Sequence, residues 1–202
     1  MMERRAKRTN ENSGESKGMT NERGGRFTTL QLTEMALMVA MLSALSYVRI
    51  PLPFSDAGIS ALTIGVNLIA LLMTPKEAFV TVLCYLLLGL VGAPVLGGGG
   101  GPGKLFGPGG GYLMAFLLAV IVISNLRGKR YHLGRYLLVT LFAGLIIIDG
   151  LGFLWFWIVM EMEFSAAFIA GYVAFAPLDV VKCVIACVMA RPLQKALRGL
   201  QS

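Results

Sequence analysis

Residues 136–160 read YLLVTLFAGLIIIDGLGFLWFWIVM, 25 residues with a single charge at Asp149. A helix needs about 20 mainly apolar residues to cross a bilayer. This stretch exceeds that length, so its solvent is lipid. Working outward, a basic segment at 127–135 precedes it and the acidic Glu161-Met-Glu163 ends it. Further apolar runs cover 30–48, 59–73, 78–91 and 112–126, and a longer one covers 164–197. Several are shorter than a perpendicular span requires, so their ends must extend into the connecting loops. The composition agrees: of 202 residues, 56% are hydrophobic and 14% charged, with a mean hydropathy of +0.72. A soluble domain carries about 25% charged residues.

The last run is too long for one span and contains Pro177. Proline is best tolerated in the first turn of a helix. A sixth helix is therefore expected to start near Pro177 and run toward Leu197, with 164–176 a short apolar segment over the outer face. One long helix kinked at Pro177 is the other arrangement. The expected fold is an all-α integral membrane protein whose six transmembrane helices lie within residues 27–202. Residues 1–26 are polar, without apolar periodicity, and read as a disordered cytoplasmic tail. This tail is too acidic and too long to be the positive region of a secretory signal, and Met19 is an alternative start within it.

Positive charge gives the orientation. With the N-terminus inside, fifteen of the eighteen Lys and Arg fall on the inner side, Arg49 and Lys104 fall outside, and Lys182 lies within the sixth helix. Cytoplasmic loops carry the excess of Lys and Arg, so both termini are expected in the cytoplasm of a multi-pass plasma membrane protein. The net charge of +7 marks a membrane side and does not suggest nucleic-acid binding.

Few residues can carry chemistry in so apolar a chain. Asp179 and Lys182 are three apart near the start of the expected sixth helix, on one face and in the outer part of the membrane. A charge in a spanning segment costs at least about 2.5 kcal/mol at the helix centre, so such residues pair, face a cavity or bind something. A structural ion pair is one reading. A ligand site is favoured because the pair lies on the same side as a Gly/Pro-rich segment at 92–111. There, Gly98-x4-Gly103-Lys104 approaches a phosphate-binding loop, but Leu105 stands where Ser or Thr would hold magnesium and no strand precedes it. Nucleotide binding is rejected. Backbone freed by glycine can instead approach a ligand closely, and Pro94, Leu96, Leu105, Phe106 and Pro108 supply stiff, apolar points that argue against a free linker.

Asp149 is a further intramembrane charge, whereas Glu34 sits near a helix end and can snorkel. Ala36, Ala40 and Ala44 form a ladder on one face of the first helix. Small residues let a second helix approach closely in lipid, whether that helix is the protein's own or a partner's. Cys84, Cys183 and Cys187 give no disulfide framework. Cys183 and Cys187 share a helix face, but no His or second Cys pair joins them, so no metal is expected. His132 reads as a solvated loop residue.

Together these features resemble the biotin-specific substrate-binding subunits (S components) of energy-coupling factor transporters, from about residue 29 to 197. The most specific section is Tyr85-Leu-Leu-Leu-Gly-Leu-Val-Gly-Ala-Pro-Val-Leu-Gly-Gly98 with Leu105-Phe-Gly-Pro-Gly-Gly-Gly-Tyr112, similar to a family loop ending Gly-Pro-Thr-Gly-Gly-Tyr. The second is Pro177-Leu-Asp-Val-Val-Lys182, similar to the family's Pro-Gly-Asp-x-x-Lys. The chain departs at Gly109, where the family has Thr, and at Leu178, where it has Gly. A Thr-x-Gln pattern before the second helix is absent from 60–67.

The resemblance implies the energy-coupling factor S-component fold, capture of biotin from outside and no enzymatic activity or cofactor. It implies docking on a transmembrane coupling subunit, with two cytoplasmic ATPase subunits driving import. Asp179 and Lys182 match the family's binding pair, and Ala36, Ala40 and Ala44 its docking face. On this reading Asp179 accepts a hydrogen bond from the ureido N–H of biotin and Lys182 donates to its carbonyl. From position alone, Lys104 attracts the carboxylate, and Tyr112 and Phe106 pack on the rings. The alternatives are an S component for a different vitamin or small carboxylate, an intramembrane enzyme using Asp149 and Asp179, and a scaffold that binds no small molecule.

Overall fold

The computed structural model describes residues 27–52, 55–128 and 131–200; the tail expected over 1–26 lies outside the described residues. Helix α1 covers Thr29–Tyr47, followed by an antiparallel ribbon of β1 (Arg49–Leu52) and β2 (Ser55–Ser60). Then come α2 (Leu62–Leu72), α3 (Pro75–Leu90), the short α4 (Pro102–Leu105) and α5 (Gly110–Leu126). Helix α6 runs over Leu133–Met160 and contains a π-helical stretch at Ala143–Asp149. A short α7 (Phe164–Phe168) passes into π-turns at Ile169–Val173, and α8 covers Ala176–Leu200.

The ribbon corrects the expectation of a Pro-rich turn over 49–56. Its register pairs Arg49 with Ser60 and Ile50 with Ile59, so Ile59 and Ser60 leave the second apolar run. Proline at position 51 obscured the strand. In a two-stranded ribbon both strands are edges, where a missing backbone donor is tolerated.

Buried helix α2 lies at the centre. Nine of its residues are buried, and it packs against α8 and α5. Helix α1 turns Met35, Met38, Leu42 and Ser46 inward. Gly65 admits it closely, because a Cβ there would sit 2.8 Å from the Leu42 and Leu45 side chains. At the start of α3, the Thr74 N–H donates to the Glu77 carboxylate at 2.9 Å and Pro75 occupies the first turn. Glycine 144 brings α6 to α8, with its built Cβ 3.3 Å from Cys183 Sγ.

Outside this core the surface is apolar. Leu37, Leu138, Ile158, Ile169 and Val188 are each more than half exposed. Exposed apolar surface on this scale marks contact with something other than water. Among the described residues, the stretches Thr29–Tyr47, Leu133–Met160 and Phe164–Leu197 are long and apolar enough to cross a membrane, while α2 and α5 are shorter apolar helices. In the last stretch the chain turns at 174–175 before α8 begins at Ala176.

Candidate functional site

A cavity of about 350 Å³ opens between α2, α3, the glycine-rich segment, α5, the π-turn of α6 and the start of α8. Pockets for small organic ligands span roughly 300–1,000 Å³ and are mainly apolar with a few placed polar groups. The charged lining residues are Asp149, Asp179, Lys182, Arg49 and Lys104. Tyr85, Tyr112, Phe116 and Phe175 supply aromatic wall.

The turn at 174–175 positions the acidic pair. The Phe175 carbonyl accepts the Leu178 and Asp179 N–H groups at 3.0 and 2.9 Å, which winds the first turn of α8 and puts Asp179 in it. A carboxylate is favoured there by the helix dipole. One turn on, Lys182 Nζ meets Asp179 Oδ1 at 2.7 Å. The two residues are 9% and 3% exposed, so the pair is withdrawn from solvent. Opposite them, the π-helical stretch of α6 ends on Asp149, which is 1% exposed. Among the described residues no amide, ammonium or hydroxyl group donates to its oxygens, and its carboxyl interacts with that of Asp179. Single π-turns recur at functional sites, and a buried polar group without a partner costs stability. This end of the cavity therefore holds more acceptors than donors.

The aromatic wall is anchored by main-chain contacts. Tyr112 donates its hydroxyl to the Gly171 carbonyl, and its ring lies 5.6 Å from that of Phe175. Gly152 leaves room for it, since a Cβ there would fall 2.1 Å from the Tyr112 ring. Replacement of Gly152 by Val should force the ring from its seat and destabilise the protein by about 1–3 kcal/mol, as overpacking does. It should also weaken ligand binding. Gly134→Val, at a site with nothing within 4 Å of the built Cβ, should do neither; melting temperatures of the purified variants check this.

The glycine-rich segment is fixed rather than loose. Leu96 and Leu105 are buried. The Gly97 N–H donates to Ser46 Oγ at 3.2 Å, Tyr85 to the Val95 carbonyl at 3.0 Å and Trp155 Nε1 to the Gly107 carbonyl at 3.1 Å. Glycine is required at 97, 98 and 101, where φ is +68°, +80° and +90°, a region L-residues with a Cβ avoid. At Gly110 a Cβ would meet the Leu105 carbonyl oxygen at 1.9 Å.

Of the residues singled out from sequence, Asp179, Lys182, Lys104 and Tyr112 all line the cavity. Phe106 does not: it is 54% exposed, because Leu105 takes the inward position of that turn. Arg49, Tyr85 and Phe175 line the cavity without having been picked out. Arg49 carried a usable signal, being one of only two cations assigned to the outer side. Ala36, Ala40 and Ala44 are exposed along α1, on the side away from its buried residues. Cys183 and Cys187 sit beside Thr140: Cys183 Sγ donates to the Thr140 carbonyl at 3.5 Å and Cys187 Sγ lies 3.3 Å from Thr140 Oγ1. Among the described residues no cluster of three His, Cys, Asp or Glu could hold a metal ion.

Comparison with known proteins adds four findings. The model of the BioY family matches residues 17–199. The biotin transporter BioY2 of Lactococcus lactis subsp. cremoris is 32% identical over 168 residues, covering 82% of this chain and 91% of that protein. A probable biotin transporter BioY of Pyrococcus horikoshii is 34% identical over 165 residues, covering 81% and 96% respectively. The crystal structure of an S-component for biotin from an ECF-type ABC transporter aligns with a TM-score of 0.76 at 28% identity. It covers 84% of this chain and 95% of that one.

Proposed function

The chain belongs to the BioY family, and from that membership we propose that it captures biotin as the substrate-binding subunit of an energy-coupling factor importer. It is a multi-pass plasma membrane protein and not an enzyme. The observation that carries the substrate reading is the buried Asp179–Lys182 pair on the wall of a partly aromatic cavity.

Biotin joins a ureido ring, an apolar bicycle and a carboxylate tail, and the cavity offers a counterpart to each. Asp179 accepts a ureido N–H while Lys182 donates to the ureido carbonyl. Tyr112, with Phe175 behind it, packs on the bicycle. Lys104 and Arg49, both reaching from the segments that close the cavity, attract the carboxylate. Charge-assisted hydrogen bonds of this kind contribute about 1.5–3 kcal/mol each.

Six crossings with both termini cytoplasmic remain our reading, supported by the fifteen-to-two division of Lys and Arg. This orientation opens the cavity outward. The partners we propose are a transmembrane coupling subunit, seated on Ala36, Ala40 and Ala44, and two cytoplasmic ATPase subunits. The exposure of all three alanines on one side of α1 supports that face. Cells lacking their own biotin uptake should accumulate labelled biotin when they express this chain with such partners, and lose most of that uptake with Asp179→Ala. Equal uptake with and without the chain would refute the proposal.

A further inference from the structure

The polar end of the cavity is unbalanced. It holds two carboxylates, Asp149 and Asp179, and one ammonium, Lys182, which is committed to Asp179 at 2.7 Å. Asp149 is 1% exposed and lines the cavity; among the described residues no amide, ammonium or hydroxyl group donates to its oxygens, and its carboxyl interacts with that of Asp179. A buried carboxylate left in this state is destabilising. It ends the π-helical stretch of α6, and the group it interacts with most directly is another carboxyl, that of Asp179. Two carboxyl groups beside one ammonium leave acceptors in excess, which a ligand head group carrying N–H donors matches.

We infer that Asp149 is a ligand-binding and specificity-determining residue, which accepts the second N–H of the ligand's ureido ring while Asp179 accepts the first. The two carboxylates then require a head group with two N–H donors flanking a carbonyl. A lactam, with one N–H, leaves one of them bare and is rejected; leaving a site's buried polar group unpaired is the strongest form of discrimination between similar ligands. The inference rests on the biotin reading of the cavity and extends it to a residue outside the Asp179–Lys182 motif.

The test uses the purified full-length chain and three probes: biotin and the two isomeric N-methylbiotins, methylated on one or the other ureido nitrogen. Wild-type protein should bind biotin and bind both isomers at least about tenfold more weakly, the loss expected for a hydrogen bond to a charged group. Asp149→Ala should lose about ten- to hundredfold in biotin affinity and should no longer distinguish biotin from one of the isomers. Asp149→Asn, which keeps an acceptor oxygen, should restore part of the affinity.

Three results would overturn the inference. One is an Asp149→Ala affinity within about threefold of wild type, less than a charged hydrogen bond supplies. Another is a loss in Asp149→Ala with discrimination against both isomers intact, which marks a structural role. The third needs no variant to fold: wild-type protein that binds either isomer as tightly as biotin. If wild-type protein fails to bind biotin itself, the substrate reading fails, and that outcome is distinct from the other three.

Discussion

Lys182→Met is expected to lower biotin affinity by at least about a hundredfold, because it removes a hydrogen-bond donor to the ligand and also the cation facing two buried carboxylates. Methionine is unbranched and only one atom shorter than lysine, so the cavity changes little in shape. What changes is charge: Asp179 loses its 2.7 Å partner, and Asp149 loses the nearby cation that offsets the Asp179 carboxyl. Breaking a buried pair by removing one member costs roughly 3–5 kcal/mol. The variant should therefore melt at a lower temperature as well as bind more weakly. Asp179→Asn should be milder for folding, since the amide oxygen can still face Lys182, but should weaken binding in the same direction. Calorimetric titration and melting curves on the same preparations separate the two effects. Biotin affinity within a few-fold of wild type in Lys182→Met would remove the pair from the site.

The second large effect separates binding from assembly. Ala40→Trp should abolish co-purification with a coupling subunit while leaving biotin affinity unchanged. Lipid offers no hydrophobic drive between helices, so association depends on close backbone approach across small residues. A tryptophan at the middle of the Ala36–Ala40–Ala44 ladder holds a partner helix away along its length. The cavity does not feel it, because Ala40 is exposed and the buried side of α1 is formed by Met35, Met38, Leu42 and Ser46. The control is Leu138→Trp, on a strongly exposed position of α6, which should assemble normally. If both variants assemble, the alanine face is not the docking surface.

The parts of this protein that were legible from sequence are those where one physical rule dominates. Long apolar runs with few charges mark helices in lipid, and the edges of α1, α3 and α5 fall within a few residues of the apolar runs. Pro177 marks the restart of the chain at α8, since proline favours a first helical turn. Asp179 and Lys182 stood out because charge is rare in such a chain, and the structure brings them to the cavity with Lys104 and Tyr112. Tertiary choices were less visible. The β1–β2 ribbon hides behind a proline that is harmless only because both strands are edges. Phe106 and its neighbour Leu105 are both apolar, and only the winding of α4 decides that Leu105 turns inward. Asp149 was visible as a charge, but nothing in its neighbours announced the π-turn that presents it to the cavity. Tyr85 and Phe175 are aromatic residues among many, and their place on the wall follows from packing alone.

The central claim is that this chain by itself holds biotin in the cavity built around Asp179 and Lys182. Calorimetric titration of the purified full-length protein, without partner subunits, against biotin and a panel of other vitamins tests it most directly. The account predicts saturable binding of one biotin per chain, no comparable binding of the other vitamins, and loss of the biotin signal in Lys182→Met. Absence of biotin binding by folded wild-type protein, or tighter binding of another vitamin, would contradict it.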